Sequence, residues 1–203
     1  MECYEIITMI KDLALAGAAV TTGIVAVVGI KNWSRELRGK ANFEVARSLI
    51  RETYKLRDEL RYARSPFTVA HEFPDDYPSN IKDRTSEIEA NAWAHVFSNR
   101  WKGLVAPLQE FESQALEAEA LWGNEIREKT DELRRCARHL QVSMEAFVHN
   151  EANDHEDFKS DRAHAKAVKA DIWAAGKTNE LTDKINNAVA ELEKEIRPHL
   201  RRS

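Results

Sequence analysis

An uncharged run near the N-terminus, residues 13–30 (LALAGAAVTTGIVAVVGI), constrains this chain more than any other feature. At about 1.5 Å per residue it rises roughly 27 Å as a helix, close to the ~30 Å hydrocarbon layer of a bilayer. Ile6, Ile7, Met9 and Ile10 extend the apolar character upstream, past Lys11 and Asp12. Those two charges suit an interface, the lysine by snorkelling. Tyr4 and Trp33 bracket the segment, and amphipathic aromatics favour headgroup depth. The reading is one transmembrane helix. Two alternatives stay open. A signal peptide wants a basic start, whereas Glu2 and Glu5 lead here and no clean small-x-small cleavage site stands before a soluble start. A buried core helix is the other, because an alanine-rich run is a modest apolar signal.

Charge decides the expected orientation. Residues 31–64 carry ten basic and five acidic side chains, a net +5, and begin with Lys31, Arg35, Arg38 and Lys40. Only Lys11 precedes the span, so the positive-inside rule places the C-terminal side in the cytoplasm. The expected organisation is a short extracytoplasmic N-terminus (1–12), a transmembrane helix (13–30) and a cytoplasmic helical domain (31–203). Cys3 and Cys136 then lie on opposite sides of the membrane and do not pair within one chain. The sequon Asn32-Trp33-Ser34 is silent for the same reason. Ala14, Ala18, Thr22 and Ala26 form a small-residue line, with Ala19 and Gly23 beside it, of the kind that lets membrane helices approach closely. Homo-oligomerisation is one reading of that line; ordinary alanine usage is the other.

Beyond the span the chain is soluble in character: 32% of its residues are charged and its mean hydropathy is −0.55. Seven glycines and five prolines leave few turns, so helix is expected throughout. Over 32–64, Phe43, Ala46, Leu49, Ile50, Thr53, Leu56, Leu60 and Ala63 recur at steps of three and four, with Gly39 as a potential hinge. The basic face opposite them either touches anionic lipid or is simply solvated.

Pro66, Pro74 and Pro78 mark a loop over 65–80, pinned by Phe67, Phe73 and Tyr77. A helix is expected from Ile81, capped by Ser79 or Asn80, with Ile88, Ala92, Val96 and Phe97 or Trp101 inward. It should end or kink between Gly103 and Pro107.

Residues 108–149 give the strongest helical signal. Leu108, Phe111, Ala115, Ala118, Trp122, Ile126, Leu133, Cys136, Leu140, Met144 and Phe147 form a stripe that only Lys129 interrupts. The stripe is not a strict heptad, which favours an intramolecular bundle over a coiled coil. A polar loop is expected over 150–161. A last helix over 162–196 follows, with Ala165, Val168, Ile172, Ala175, Leu181, Ile185, Ala188, Val189, Leu192 and Ile196 inward. Gly176 weakens its middle and Pro198 stops it before Arg201 and Arg202.

Chemistry-bearing motifs are missing. The sequence contains no Walker A loop, GxGxxG, GxSxG, HExxH or kinase signature. His71, Glu72, Asp75 and Asp76 match no ligand spacing, nor do His149, Asp154, His155, Glu156 and Asp157. His95 and His139 sit within helices and are the pair that a bundle core would bring together. No catalytic, cofactor-binding or metal residue is assigned, and no nucleic-acid module is present.

The stretch Lys31-Asn32-Trp33-Ser34-Arg35-Glu36-Leu37-Arg38-Gly39-Lys40 continues through Glu44, Ala46-Arg47, Leu49, Tyr54, Leu56-Arg57-Asp58 and Arg64-Ser65-Pro66-Phe67. It resembles a juxtamembrane segment of uncharacterised bacterial single-pass inner-membrane proteins. The resemblance implies a bacterial inner-membrane setting and carries no activity. Trp33 is expected at the interface, Arg57 and Asp58 in local pairs, and Pro66 at a helix end.

The expectation is therefore an all-α protein: an N-terminal transmembrane helix followed by a long-helix bundle or coiled-coil-like cytoplasmic domain. Functionally it reads as a membrane-anchored helical interaction or scaffold protein, not an enzyme, with the bilayer and an unidentified protein as partners. The alternative is an oligomeric membrane effector or pore-forming subunit assembling through the small-residue helix.

Overall fold

A chain with this few helix breakers becomes helix wherever an apolar face finds cover, and the computed structural model is helical throughout, with no strand among the described residues. It describes residues 2–175 and 179–200; side chains are described at Met9, Leu13 and from Leu15 onward. Gly176, Arg201, Arg202 and the side chains of Cys3, Tyr4, Ile6, Ile7, Ile10, Lys11, Asp12 and Ala14 lie outside the described residues.

Helix α1 spans Glu2–Ala63. The expected separate helix over 32–64 is thus the continuation of the apolar one, and Gly39 sits inside it without a break. The helix stops where Ser65 precedes Pro66, because a residue before proline is driven out of the α region. Two compact units divide the chain, Met1–Glu44 with Arg202–Ser203, and Val45–Arg201. In the first unit, no residue between 15 and 44 whose side chain is described is buried.

The second unit is a bundle. Helix α2 runs Ser86–Trp122 and α3 Asn124–Ala152, and the two pack against each other along their lengths. Trp93 and Phe97 of α2 meet Phe147 of α3, while Glu119 pairs with Arg127 near the joint, so the pair is an antiparallel hairpin. Short α4 (Glu156–Ser160), α5 (Arg162–Ile172) and α6 (Glu180–Ile196) complete it, and the last turn is a 3-10 helix over Arg197–Leu200. From α1, Ala46, Leu49, Leu56, Leu60 and Ala63 enter one apolar core with Val96, Leu104, Phe111, Ile126, Leu133, Leu140 and Leu192. The stripe read from the 32–64 sequence is the buried one, although Phe43 and Ile50 are only half-covered.

The helix does not end between Gly103 and Pro107. Pro107 lies inside α2. Proline costs a helix interior about 3 kcal/mol, while fully burying a leucine or phenylalanine returns roughly 1.5–3 kcal/mol each. Leu104 and Phe111 on either side are both buried, and together they outweigh the proline. The break falls instead at Gly123, which divides the single helix expected over 108–149. Its backbone (φ 86°, ψ −162°) is open essentially to glycine alone.

The C-terminal expectations shift similarly. Helix α3 continues to Ala152, and α4 occupies part of the expected 150–161 loop. Asp154 and His155 make the turn with positive φ (51° and 63°). The helix expected over 162–196 is two helices, and Ala175, expected inward, is exposed in the connection. Thr85, not Ser79 or Asn80, caps α2, accepting from the Ile88 N–H; Asn80 caps a 3-10 turn over Ile81–Asp83 instead.

Replacing Gly123 with alanine places a Cβ on a backbone conformation that L-residues avoid, since the space around it is open and the strain is wholly conformational. The Gly123→Ala variant should lose about 1–3 kcal/mol of stability, read as a lowered urea midpoint with an unchanged slope.

Candidate interaction surfaces

Helix α1 is followed directly by an arginine that the periodicity does not explain. Arg64 is 2% exposed, yet each of its three guanidinium nitrogens donates a hydrogen bond. Nε donates to the Asp171 carbonyl at 2.6 Å, and Nη2 donates to the Ala170 carbonyl at 3.3 Å and Asn179 Oδ1 at 2.6 Å. Nη1 donates to Thr182 Oγ1 at 3.0 Å. The carbonyls belong to the last turn of α5, where a cation is favoured, and Asn179 is the N-cap of α6. The Arg64 carbonyl accepts from the Ala174 N–H, closing the junction from the other side. Burial pushes the guanidinium's pKa down, against the pull of Asp171.

A second arginine holds the proline segment. Arg100 of α2 is buried and donates to Glu72, to the Ser65 and Phe67 carbonyls and to Thr68 Oγ1. Phe73 stacks on Tyr77 and sets its ring edge-on to Trp93, and the Tyr77 hydroxyl donates to Glu89. Two of the three expected aromatic pins therefore hold. Phe67 does not: it is 79% exposed, because the segment is fastened there through its backbone carbonyl. The hydrogen bond from Arg100 holds the Glu72 carboxyl below its usual range.

The bundle surface carries a basic groove beside α5. Arg162, Lys166 and Lys169 follow one another at helical steps of four and three, which puts them on one stripe. Lys159 lines the same groove but is paired with Glu156 at 2.7 Å. Phe147, Phe158 and Trp173 supply an aromatic floor, and the cavity volume is about 700 Å³. Glu151 also lines it. Burial pushes that carboxyl's pKa up, opposed by His155, whose Nδ1 lies 3.2 Å away. Arg162, Lys166 and Lys169 make no ion pair among the described residues. Lys169 Nζ stands 5.9 Å from the Phe158 ring centre.

A surface of opposite sign lies on α2. Glu110 and Glu117 are exposed, seven residues apart, and unpaired among the described residues. Leu121, 47% exposed, lies one turn after Glu117 on the same side, and Leu116, 66% exposed, lies about 100° round the helix from Glu117.

The sequence-level candidates for chemistry do not assemble. His95 and His139 are both exposed and do not meet. His95 Nε2 lies 2.8 Å from Asn99, and His139 Nε2 lies 2.9 Å from Asp171, which also accepts from Ser143. Cys136 is buried and its thiol pKa is pushed up by that burial, so it is a poor nucleophile. Among the described residues no group of three or more His, Cys, Asp or Glu is placed to hold a metal ion. Lys129, the break in the apolar stripe, reaches Glu191 at 2.9 Å. Arg57 and Asp58 pair with each other at 2.8 Å.

The sequence reading gave no role to Arg64, which it met only within the juxtamembrane resemblance, and passed over Arg100 and the α5 stripe. The last had a usable signal, the spacing of 162, 166 and 169. The first two had none, since nothing local separates a buried arginine from a solvated one.

No protein-family model matches the chain, and no curated protein or solved structure is significantly similar to it.

Truncating Arg64 leaves buried acceptors unpaired, each costing about 1–3 kcal/mol. Arg64→Ala should therefore cost about 3 kcal/mol or more in urea unfolding. Arg64→Lys should recover only part of it, because one ammonium cannot reach four acceptors. Glu72 makes the opposite kind of test. Its carboxyl is depressed in the fold, so the pairing contributes fully above the unfolded value of about 4.3 and is lost as pH falls through the folded value. Amide exchange over 65–85, corrected for intrinsic rate, should accelerate below about pH 4. In Glu72→Gln it should already be fast at neutral pH and change little on acidification.

Proposed function

We propose that this chain is a membrane-anchored helical interaction protein, its bundle held beside the cytoplasmic face of a bacterial inner membrane. The observation that supports this most is the state of the apolar run. Val20, Ile24, Val27 and Ile30 are between 54% and 64% exposed, and none of the run's described side chains finds cover inside the protein. A soluble core helix would have been buried, and this one is long and apolar enough to cross a bilayer.

Its polar atoms fit the same reading. The Thr21 hydroxyl donates to the Gly17 carbonyl at 2.8 Å, and Thr22 donates to Ala18 at 2.9 Å. Hydroxyls satisfied within the helix are compatible with hydrocarbon, where an unpaired one is costly. Trp33, 64% exposed, stands where an interfacial ring is wanted, and the basic residues from Lys31 favour the cytoplasmic side. The resemblance to bacterial single-pass inner-membrane proteins points the same way. Interaction, rather than catalysis, is favoured by long exposed helical faces and by the lack of converging reactive groups among the described residues. The pore-forming alternative rests on Ala18, Thr22 and Ala26, which lie exposed on one side of the helix.

The chain should sediment with membranes and resist carbonate extraction. Ile24→Arg, costing about 2.5–3.5 kcal/mol at a helix centre, should move it towards the soluble fraction. A cytoplasmic reporter joined after Ser203 should be active; active alkaline phosphatase there would reverse the orientation.

A further inference from the structure

We propose that a second copy of this chain docks the acidic exposed face of its α2 into the basic groove beside α5, joining copies head to tail. This rests on the interaction half of the proposed function and names the partner; it does not depend on the bilayer half.

Both halves of the contact are present on one molecule, and their charges and spacings correspond. Glu110 and Glu117 are seven residues apart, about 10.5 Å along a helix. Arg162 and Lys169 are also seven apart on theirs, with Lys166 between them. All five side chains lack an ion pair among the described residues, so each is available to a partner. The apolar components correspond as well. Leu121, one turn after Glu117, projects beside the two carboxylates, and the groove offers Phe158 and Trp173 beneath its cations. A leucine set onto an aromatic floor and ringed by opposite charges is the anatomy of a specific interface: an apolar centre with a charged rim that fixes register.

The acidic side of the contact lies in an acidic segment, whereas residues 127–203, with fifteen basic and fifteen acidic side chains, are balanced. Residues 65–126 carry four basic and eleven acidic side chains, a net −7, and hold the α2 face. The groove's cations belong to the segment after it. Joined head to tail, each copy offers one surface to the copy before it and the other to the copy after it, so the contact is heterologous and copies add in an open series or a ring.

The test is sedimentation equilibrium of the full-length chain in detergent. At about 0.1 M salt the mass should rise with concentration past that of a dimer, and about 1 M salt, which cuts the screening length from roughly 10 Å to 3 Å, should reduce it. Arg162→Glu with Lys169→Glu should weaken association at least about tenfold, and so should Glu110→Lys with Glu117→Lys. All four positions are exposed, so helicity by circular dichroism should stay unchanged. Combining the four reversals in one chain should restore association. A wild-type chain that stays monomeric at low salt overturns the proposal and leaves the groove to another anionic partner. Association that survives both salt and charge reversal also overturns it, by placing the contact in the apolar run. A quadruple variant that fails to recover does so too. None of these outcomes bears on carbonate extraction, so failure here and failure of the anchor are read separately.

Discussion

The bundle depends on a guanidinium in a place where burying a charge is expensive. Three helix ends converge at Arg64: the end of α1, the last turn of α5 and the cap of α6. Each end leaves backbone or cap groups that would otherwise face the core without partners, and a planar five-donor group supplies several of them at once. Aliphatic packing cannot do this, because it has no directional preference among helix ends. Once Arg64 is seated, the connection after α5 is fixed by the Ala174 N–H, and α6 starts at a set position with its face Leu181, Ile185, Ala188, Val189 and Leu192 turned inward. A side-chain bridge from Tyr54 to Glu193 at 2.9 Å then ties α1 to α6 farther along.

Glu52 follows a similar logic with opposite sign. It is 3% exposed, and burial alone would raise its carboxyl pKa. Hydrogen bonds from Arg51 and Lys55 outweigh that penalty and hold it below its usual range. Both donors come from its own helix, so the charge is compensated locally. Arg64 and Arg100 are compensated across the fold, and they set its shape.

The parts of the fold that repeat along one helix were legible in the sequence. Leu49, Leu56 and Leu60, and likewise Leu133, Leu140 and Met144, sit at the spacing of a buried stripe and are buried. Where helices end was less legible. Pro107 looked like a stop because the local cost of proline is visible and the compensating burial of Leu104 and Phe111 is not. Gly123 looked like an ordinary residue because the stripe passes across it in phase, from Trp122 to Ile126. His95 and His139 illustrate the remaining gap. Position within a helix does not say which face a side chain occupies once the helices are assembled, and both proved to face outward. Phe67 failed as a pin for a related reason: an aromatic ring in a loop is a candidate anchor, but Arg100 grips the backbone there instead.

The hairpin joint carries an evolutionary consequence. With α2 ending at Trp122 and α3 starting at Asn124, one residue separates two long packed helices. Such a linkage has no slack to absorb an insertion. One added residue in either arm would rotate every later side chain by about 100°, exposing the stripe and burying its charged flank. Lineages of this protein can therefore lengthen or shorten the hairpin only by near-integral turns, made in both arms together.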